Sequence, residues 1–221
     1  MSETTPSRIL VTAGPTHEPI DAVRFIGNRS SGRMGIALAE EAARRGHPTT
    51  LLLGPQTFEP PVDSHLRCVR FRTTEDLEHA LTAHWSEHDV LIMAAAVADF
   101  RPTRPPGKAK LPRDAGRLVL ELEATPDLVA RMAASRRSDQ RIIGFALEPE
   151  VGLLEAAAAK LRRKGLDAVV ANPLATMDAP TVTATLVLAD GRTLTPPPDI
   201  SKTEFAAWLL DRLTDGSIAE R

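Results

Sequence analysis

A chain of 221 residues, 43% hydrophobic and 25% charged, is long enough to bury the core of one large domain or two small ones. Its formal net charge of −2 argues against a general nucleic-acid binder or a membrane-surface protein, and no apolar run approaches the length of a membrane span. The single cysteine, Cys68, rules out an internal disulfide and suits a reducing cytosol, while the absence of tyrosine removes any mechanism that needs a phenol.

The start of the chain, as far as Ser7, is polar and unlike a signal peptide, and residues 1–7 and 215–221 are expected to be flexible tails of a single domain spanning 1–221. Arg8–Thr12 is a short β-branched run stopped by Ala13-Gly14-Pro15, which predicts a buried strand. The stretch G-N-R-S-S-G-R-M-G from Gly27 to Gly35 looks like a phosphate cradle, yet fits neither G-x-G-x-x-G nor the P-loop. From Gly32 to Arg45, Met34, Ala37, Leu38 and Ala42 recur at helical spacing, Glu40 and Glu41 precede Arg44 and Arg45 by one turn, and Gly46 supplies the stop. Thr49–Leu53 is a second strand, completing a β–α–β unit and implying a parallel sheet.

The alternation continues with a strand at Leu66–Phe71, a helix at Thr74–Trp85 and an apolar central strand at Val90–Val97. Residues 101–117, rich in Pro, Gly, Lys and Arg, are expected to form a mobile flap. Leu118–Glu123 alternates like a strand with one wet face. Thr125-Pro126-Asp127 opens a helix, with Thr125 as N-cap, proline at the first position and an early acid. A strand at Arg141–Ala146, a helix at Glu150–Lys164 and a strand at Asp167–Ala171 follow. Thr181–Leu188 and Arg192–Leu194 flank Asp190-Gly191 as a hairpin, and Ser201 with Glu204 forms a capping box opening a last helix through Leu213. The predicted class is α/β, a Rossmann-like, doubly wound, mostly parallel sheet with a late β-hairpin extension.

Ligands of open α/β sheets bind beyond the carboxyl ends of the strands. The first connection, Ala13 to Ser31, takes roughly twenty residues where about 2–6 is usual, so a function is expected of it. Ser30, Ser31 and Gly32 stand at the predicted helix start, where free N–H groups attract an anion; serines there would equally serve as caps. Ala94 and Ala95 would let a flat ligand approach the backbone, with Asp99 as an acceptor, although tight packing explains the alanines as well. Lys108 and Lys110, with Arg101, Arg104 and Arg113 nearby, form either a solvated basic loop or a cover for a polyphosphate. Lys160 and Lys164 lie one turn apart, as a wet helix face or as paired cations near the strand ends. His79, His84 and His88 lack an acidic or cysteine partner and are expected at the surface, and no metal ligand is assigned. Cys68 is expected to be a small buried hydrophobe. With no Gly-x-Ser-x-Gly elbow, and no acid after Leu52-Leu53-Gly54-Pro55, serine hydrolases and nicotinamide-dependent reductases lose support.

Val11-Thr12-Ala13-Gly14-Pro15-Thr16, Asp21-Ala22-Val23-Arg24-Phe25-Ile26 and Asn28 to Gly35 occur in order. So do Ala94 to Phe100, Thr125-Pro126-Asp127, Gly144-Phe145-Ala146 with Glu148, Lys160 to Lys164, and Ala171-Asn172. Over Arg8 to Leu213 this sequence resembles phosphopantothenate–cysteine ligase, the synthetase part of the bacterial coenzyme A biosynthesis protein, where it is commonly fused to a flavin-dependent decarboxylase. The resemblance implies condensation of 4′-phosphopantothenate with L-cysteine through an acyl-cytidylate, with CTP as co-substrate and Mg²⁺ bound chiefly by phosphates. ATP replaces CTP in eukaryotic relatives, and a non-catalytic nucleotide-binding partner of a separate decarboxylase is a further alternative.

By the same resemblance Asn28 acts on the acyl-cytidylate and Lys108 on the triphosphate. Ala94, Ala95, Asp99, Pro126, Asp127, Leu128, Val129, Phe145, Lys160 and Lys164 complete the nucleotide site, and Ser30, Ser31 and Gly32 lie against substrate phosphates. The flap reads Lys108-Ala109-Lys110-Leu111, with leucine where the family's last flap lysine stands, and Arg113 is the candidate replacement. A cytoplasmic homodimer, with the sheet or its hairpin in the interface, is also implied. Its decarboxylase would be either a separate protein or a fused domain.

Overall fold

The computed structural model describes residues 6–56, 60, 62–103, 109–111, 116–177, 179 and 181–218. In chain order the first elements are β1 (Ile9–Ala13), β2 (His17–Pro19), β3 (Phe25–Gly27), α1 (Arg33–Arg44), β4 (Thr49–Leu53), β5 (Leu66–Arg70) and α2 (Thr74–His84). Then come β6 (Val90–Met93), β7 (Phe100–Pro102), β8 (Leu122–Ala124), α3 (Leu128–Ala134), β9 (Arg141–Glu148), α4 (Leu153–Lys164) and β10 (Ala168–Pro173). The chain closes with β11 (Thr181–Val182), β12 (Thr185–Leu188), β13 (Thr193–Leu194), β14 (Ile200–Ser201) and α5 (Lys202–Thr214).

Eight strands form one sheet in the order β13-β12-β10-β9-β6-β1-β4-β5, parallel from β10 to β5. β1 is buried at every position because helices cover both faces. Its pleat sends Ile9 and Val11 toward α1 and α5, where they meet Leu38, Phe205 and Leu209, and Leu10 toward α2, α3 and α4 with Leu77, Leu81 and Leu161. From β1 the chain winds outward to β4 and β5, then returns to β6 on the other side of β1. That reversal leaves a crevice at the carboxyl ends of β1 and β6, where the connections diverge.

The expected fold class is therefore present, with local corrections. The hairpin strands β12 and β13 belong to the main sheet, since β12 pairs antiparallel with β10. Thr181–Leu188 is not one strand, because its first two residues leave to pair with β14. Apolar alternation runs through all of it: Val182, Ala184, Leu186 and Leu188 share one core. Alternation reports which face is buried and says nothing of the hydrogen-bond partner. The run Val90–Val97 ends as a strand at Met93, after which the Ala96 N–H turns to the Gly14 carbonyl at 2.9 Å and the Thr16 N–H to the Ala96 carbonyl at 3.2 Å. Of Leu118–Glu123 only the end is extended, in a two-stranded ribbon of β8 with β7.

The cap of α3 is Asp127, which accepts the Ala130 N–H at 3.2 Å; the Thr125 hydroxyl instead donates to the Ala98 carbonyl at 2.6 Å. Residues 215–218, expected as tail, pack in place: Ile218 is buried and its N–H reaches the Arg212 carbonyl at 3.0 Å. Cys68 is exposed, because β5 is the sheet edge. No helix among the described residues is long and apolar enough to cross a membrane.

His88, expected at the surface, is buried, with Nδ1 2.7 Å from the His84 carbonyl and Nε2 3.0 Å from the Thr50 hydroxyl. Burial pushes its pKa below the ordinary 6.5 and does the same to His47. In the unfolded chain both imidazoles take up protons near 6.5, whereas in the fold they resist until lower pH. Stability is therefore full above that value and lost as the pH falls below it. The thermal midpoint is expected to drop from pH 7 to pH 5, and His88→Gln should flatten that drop, as read by calorimetry.

Candidate active site

The carboxyl ends of β6, β9 and β10 open into a cavity of about 830 Å³. Its wall on the α1 side is the stretch Gly27–Ser31 with Met34, and its floor is Met93–Asp99. Thr125–Val129, Gly144–Glu148, Lys160 and Lys164 close the side of α3 and α4, and Asn172, Thr176, Met177, Thr181, Val182 and Lys202 close the far end.

The floor owes its shape to polar groups beneath it. Thr12 Oγ1 accepts the Ala95 N–H at 3.1 Å, Thr16 Oγ1 the Ala98 N–H at 2.9 Å, and the Thr125 N–H reaches the Asp99 carbonyl at 2.9 Å. Small side chains at Ala94, Ala95 and Ala96 thus lie over a backbone held at several points, which lets a planar group approach closely. Asn28 joins this floor to the first loop, its Nδ2 donating to the Val97 carbonyl at 2.8 Å. One amide proton is used in that bond, which leaves a second donor and the Oδ1 acceptor.

Ser30 and Ser31 line the cavity but neither caps α1. The N-cap is Gly32, with φ of 71°, which has no side chain to cap with. Among the described residues Ser30 Oγ accepts the Gly32 N–H, at 3.3 Å. Of the two roles open to these serines, capping is the one the structure excludes. Gly32 itself is buried and does not line the cavity, since a Cβ there would sit 3.3 Å from the Gly14 Cα. Gly35 lets α1 lie directly on β1, because its Cβ would meet the Ala13 Cβ at 2.5 Å. All three glycines of the Gly27–Gly35 stretch therefore serve backbone geometry or packing, since a Cβ at Gly27 would meet the Thr16 carbonyl oxygen at 2.7 Å.

On the opposite wall, Lys160 Nζ donates to the Phe145 carbonyl. Burial holds its pKa below the lysine range, the neighbouring Lys164 adds to that, and Glu148 and Asp127 oppose it. Lys164 pairs with Asp127 at 3.0 Å, so this carboxylate both caps α3 and anchors a lysine. Leu128 and Val129 are buried beneath, and Pro126 and Phe145 are half-buried at the cavity edge. Both lysines line the cavity, Lys160 on the Phe145 carbonyl and Lys164 on Asp127.

Ala94, Ala95, Asp99 and the other expected nucleotide residues line this one space, apart from Lys108. Lys108 lies outside the described residues, as do Arg104 and Arg113. Lys110 is exposed and off the cavity wall, and Arg101 is engaged with Glu123 at 2.8 Å. Sequence reasoning did not single out Asn172 as a site residue, although Ala171-Asn172 belonged to the matching stretches; its Oδ1 is buried without a hydrogen-bond partner among the described residues. Thr176, Met177, Val182 and Lys202 were missed altogether, because they arrive from late segments with no local pattern. Among the described residues no group of three His, Cys, Asp or Glu side chains is placed to hold a metal ion.

The model of the DNA/pantothenate metabolism flavoprotein C-terminal domain matches residues 4–216. A cysteine/cysteine sulfinic acid decarboxylase of an unknown prokaryotic organism is 43% identical over 167 residues, 76% of this chain and 46% of that protein. The coenzyme A biosynthesis bifunctional protein CoaBC of Vibrio cholerae is 40% identical over 166 residues, 75% of this chain and 41% of that protein. The chain thus spans less than half the length of these relatives. A crystal structure of the C-terminal domain of a coenzyme A biosynthesis bifunctional protein CoaBC superposes with a TM-score of 0.79 at 35% identity, covering 94% of this chain and 93% of that one. With nearly its whole length inside the family model and its strand order and cavity in place, the chain belongs to the DNA/pantothenate metabolism flavoprotein C-terminal domain family.

Proposed function

We propose that the chain ligates 4′-phosphopantothenate to L-cysteine in coenzyme A biosynthesis, using CTP and passing through an acyl-cytidylate. The observation that carries this is the convergence in one cavity of the Asn28 amide, the Ala94–Asp99 floor, the Lys160/Lys164 pair and the uncapped start of α1. Two anions, a carboxylate and a triphosphate, must meet there, so charge neutralisation and positioning dominate the chemistry. The substrate carboxylate attacks the α-phosphorus and pyrophosphate leaves. The cysteine amine then attacks the acyl carbon, CMP leaves, and the ammonium proton passes to solvent.

Lys160 and Lys164 face the nucleotide phosphates from one wall, the first-turn N–H groups of α1 from the other, and Lys108 joins them from the flap. The Asn28 amide donates to the oxygen that gains charge as the amine adds, a contribution typically worth about 3–4 kcal/mol. Mg²⁺ fits this lining as an ion carried by the phosphates, with the Asp99 and Glu148 carboxylates available as oxygen donors, and would supply charge neutralisation when bound.

Purified protein with phosphopantothenate, cysteine, Mg²⁺ and each nucleoside triphosphate tests the proposal. Pyrophosphate release with CTP and a condensed thiol product by mass spectrometry are expected. Preference for ATP would move the chain to the eukaryotic-type reaction. Nucleotide binding without turnover would make it a binding partner of a decarboxylase, and CO₂ release from cysteine would shift it to the chemistry named for the longer relative.

A cytoplasmic homodimer belongs to the same proposal, and the exposed apolar surface suggests where it forms. Phe100, Val119 and Leu122 on or beside the β7–β8 ribbon are 54%, 72% and 43% exposed, and Val23 and Phe25 by the neighbouring β2–β3 ribbon are 61% and 46% exposed. The β13 edge offers only two strand residues. Val119→Lys is expected to shift sedimentation from dimer toward monomer, and an unchanged dimer would return the interface to the hairpin edge.

A further inference from the structure

Glu18 is 3% exposed, and the proposed chemistry does not use it. It stands on β2, inside the long first connection, against the start of α2. Its Oε1 accepts the Thr74 backbone N–H at 2.8 Å and the Thr74 hydroxyl at 2.7 Å. A hydroxyl carries one proton, and that of Thr74 goes to the carboxylate. Across the 3.3 Å separating the Thr74 and Thr16 hydroxyl oxygens, Thr16 must then be the donor. The Thr16 oxygen in turn accepts the Ala98 N–H at 2.9 Å.

Thr16, Glu18, Thr74 and Ala98 are all at most 3% exposed, so water does not compete for these bonds. The donors run one way, from Ala98 to Thr16 to Thr74 to Glu18, and each bond polarises the next toward the buried negative end. An apolar side chain at position 18 would leave that direction unset. Ala98 sits between Val97, which holds the Asn28 amide, and Asp99 at the cavity.

We propose that Glu18 is a positioning residue of the active site: through Thr74 and Thr16 it sets the Val97–Asp99 backbone and hence the placement of the Asn28 amide. This rests on the ligase reading of the cavity. The bland alternative is that Glu18 only binds the first N–H of α2, which would touch stability alone. Thr74→Val separates the two, because it breaks the relay at its middle and leaves the Thr74 N–H on Glu18.

The test uses Thr74→Val, Thr16→Val, Thr16→Ser and the double variant Thr16→Val/Thr74→Val in the full chain. Amide hydrogen exchange at Ala98 and steady-state ligation are the readouts. Both valine variants are expected to speed Ala98 exchange by about tenfold and to lower kcat by about tenfold, with KM for cysteine within about twofold. Thr16→Ser should stay near wild type, and the double variant should be no worse than the worse single one, since both cut one chain. Unchanged Ala98 exchange in Thr74→Val, or additive losses in the double variant, would overturn the assignment. If the wild-type chain does not ligate, Ala98 exchange still decides the relay, and only the ligase proposal fails.

Discussion

Asn28→Ala is expected to separate the two half-reactions. Pyrophosphate should still be released about once per site, while formation of the thiol product slows by about 100- to 1000-fold, the usual loss when an oxyanion donor is removed. The asymmetry follows from where charge develops: attack on the α-phosphorus needs cations, whereas amine addition builds charge on the acyl oxygen. The variant also removes the bond to the Val97 carbonyl, so a loosened floor could imitate a lost donor. Amide exchange at Ala98 distinguishes them, because a loosened floor speeds it and a lost donor alone does not. Asn28→Asp, which keeps the side-chain size but has no proton to donate, should slow condensation at least as much. Quenched-flow measurement of pyrophosphate and product checks both, and an equal fall in the two steps would make Asn28 a binding or folding residue.

Lys160→Met is expected to weaken nucleotide binding by about tenfold to a hundredfold, the worth of a charge-assisted contact in a partly buried site. Met keeps the chain length and apolar stem, so the packing of that stem should survive and the loss should report the charge. Because burial lowers the Lys160 pKa, the ammonium is lost as the pH rises toward the ordinary lysine value of 10.5, earlier than for an exposed lysine. Binding should therefore fall on the alkaline side below that value. Lys160→Arg should remove that alkaline limb, because guanidinium stays charged, while fitting the Phe145 carbonyl less well. Calorimetric titration from pH 7 to 10 provides the check, and a flat wild-type profile would rule out Lys160 as the titrating cation.

Much of this protein was legible along the chain because the signals were local. The buried run Arg8–Thr12, the apolar face of α1, and the Ser201/Glu204 capping box each report their own surroundings, and the structure places all three as expected, with the first strand one residue later at Ile9–Ala13. Gly32 was named from its place at the helix start, and its φ of 71° and close approach to Gly14 became visible only in the structure. Thr125 failed as a cap because its hydroxyl had a better acceptor in Ala98, twenty-seven residues earlier, which no local rule could supply. Cys68 and His88 exchanged expectations for the same reason, since edge or interior is settled by strand order and helix cover rather than by residue type.

The order of elements and the parallel sheet were determined by sequence alone, through hydrophobic period and turn chemistry that act within a few residues. The family motifs also named Asn28 and the two lysines without any coordinates. Only the tertiary structure decided that Lys160 bonds the Phe145 carbonyl, that Lys164 shares Asp127 with a helix cap, and that Asn172 and Lys202 close the same cavity. It alone revealed the buried relay from Glu18 to Ala98, which joins residues 16, 18, 74 and 98. Hydrogen bonds between distant segments depend on how strands are ordered in the sheet, and that order is a property of the whole packed core.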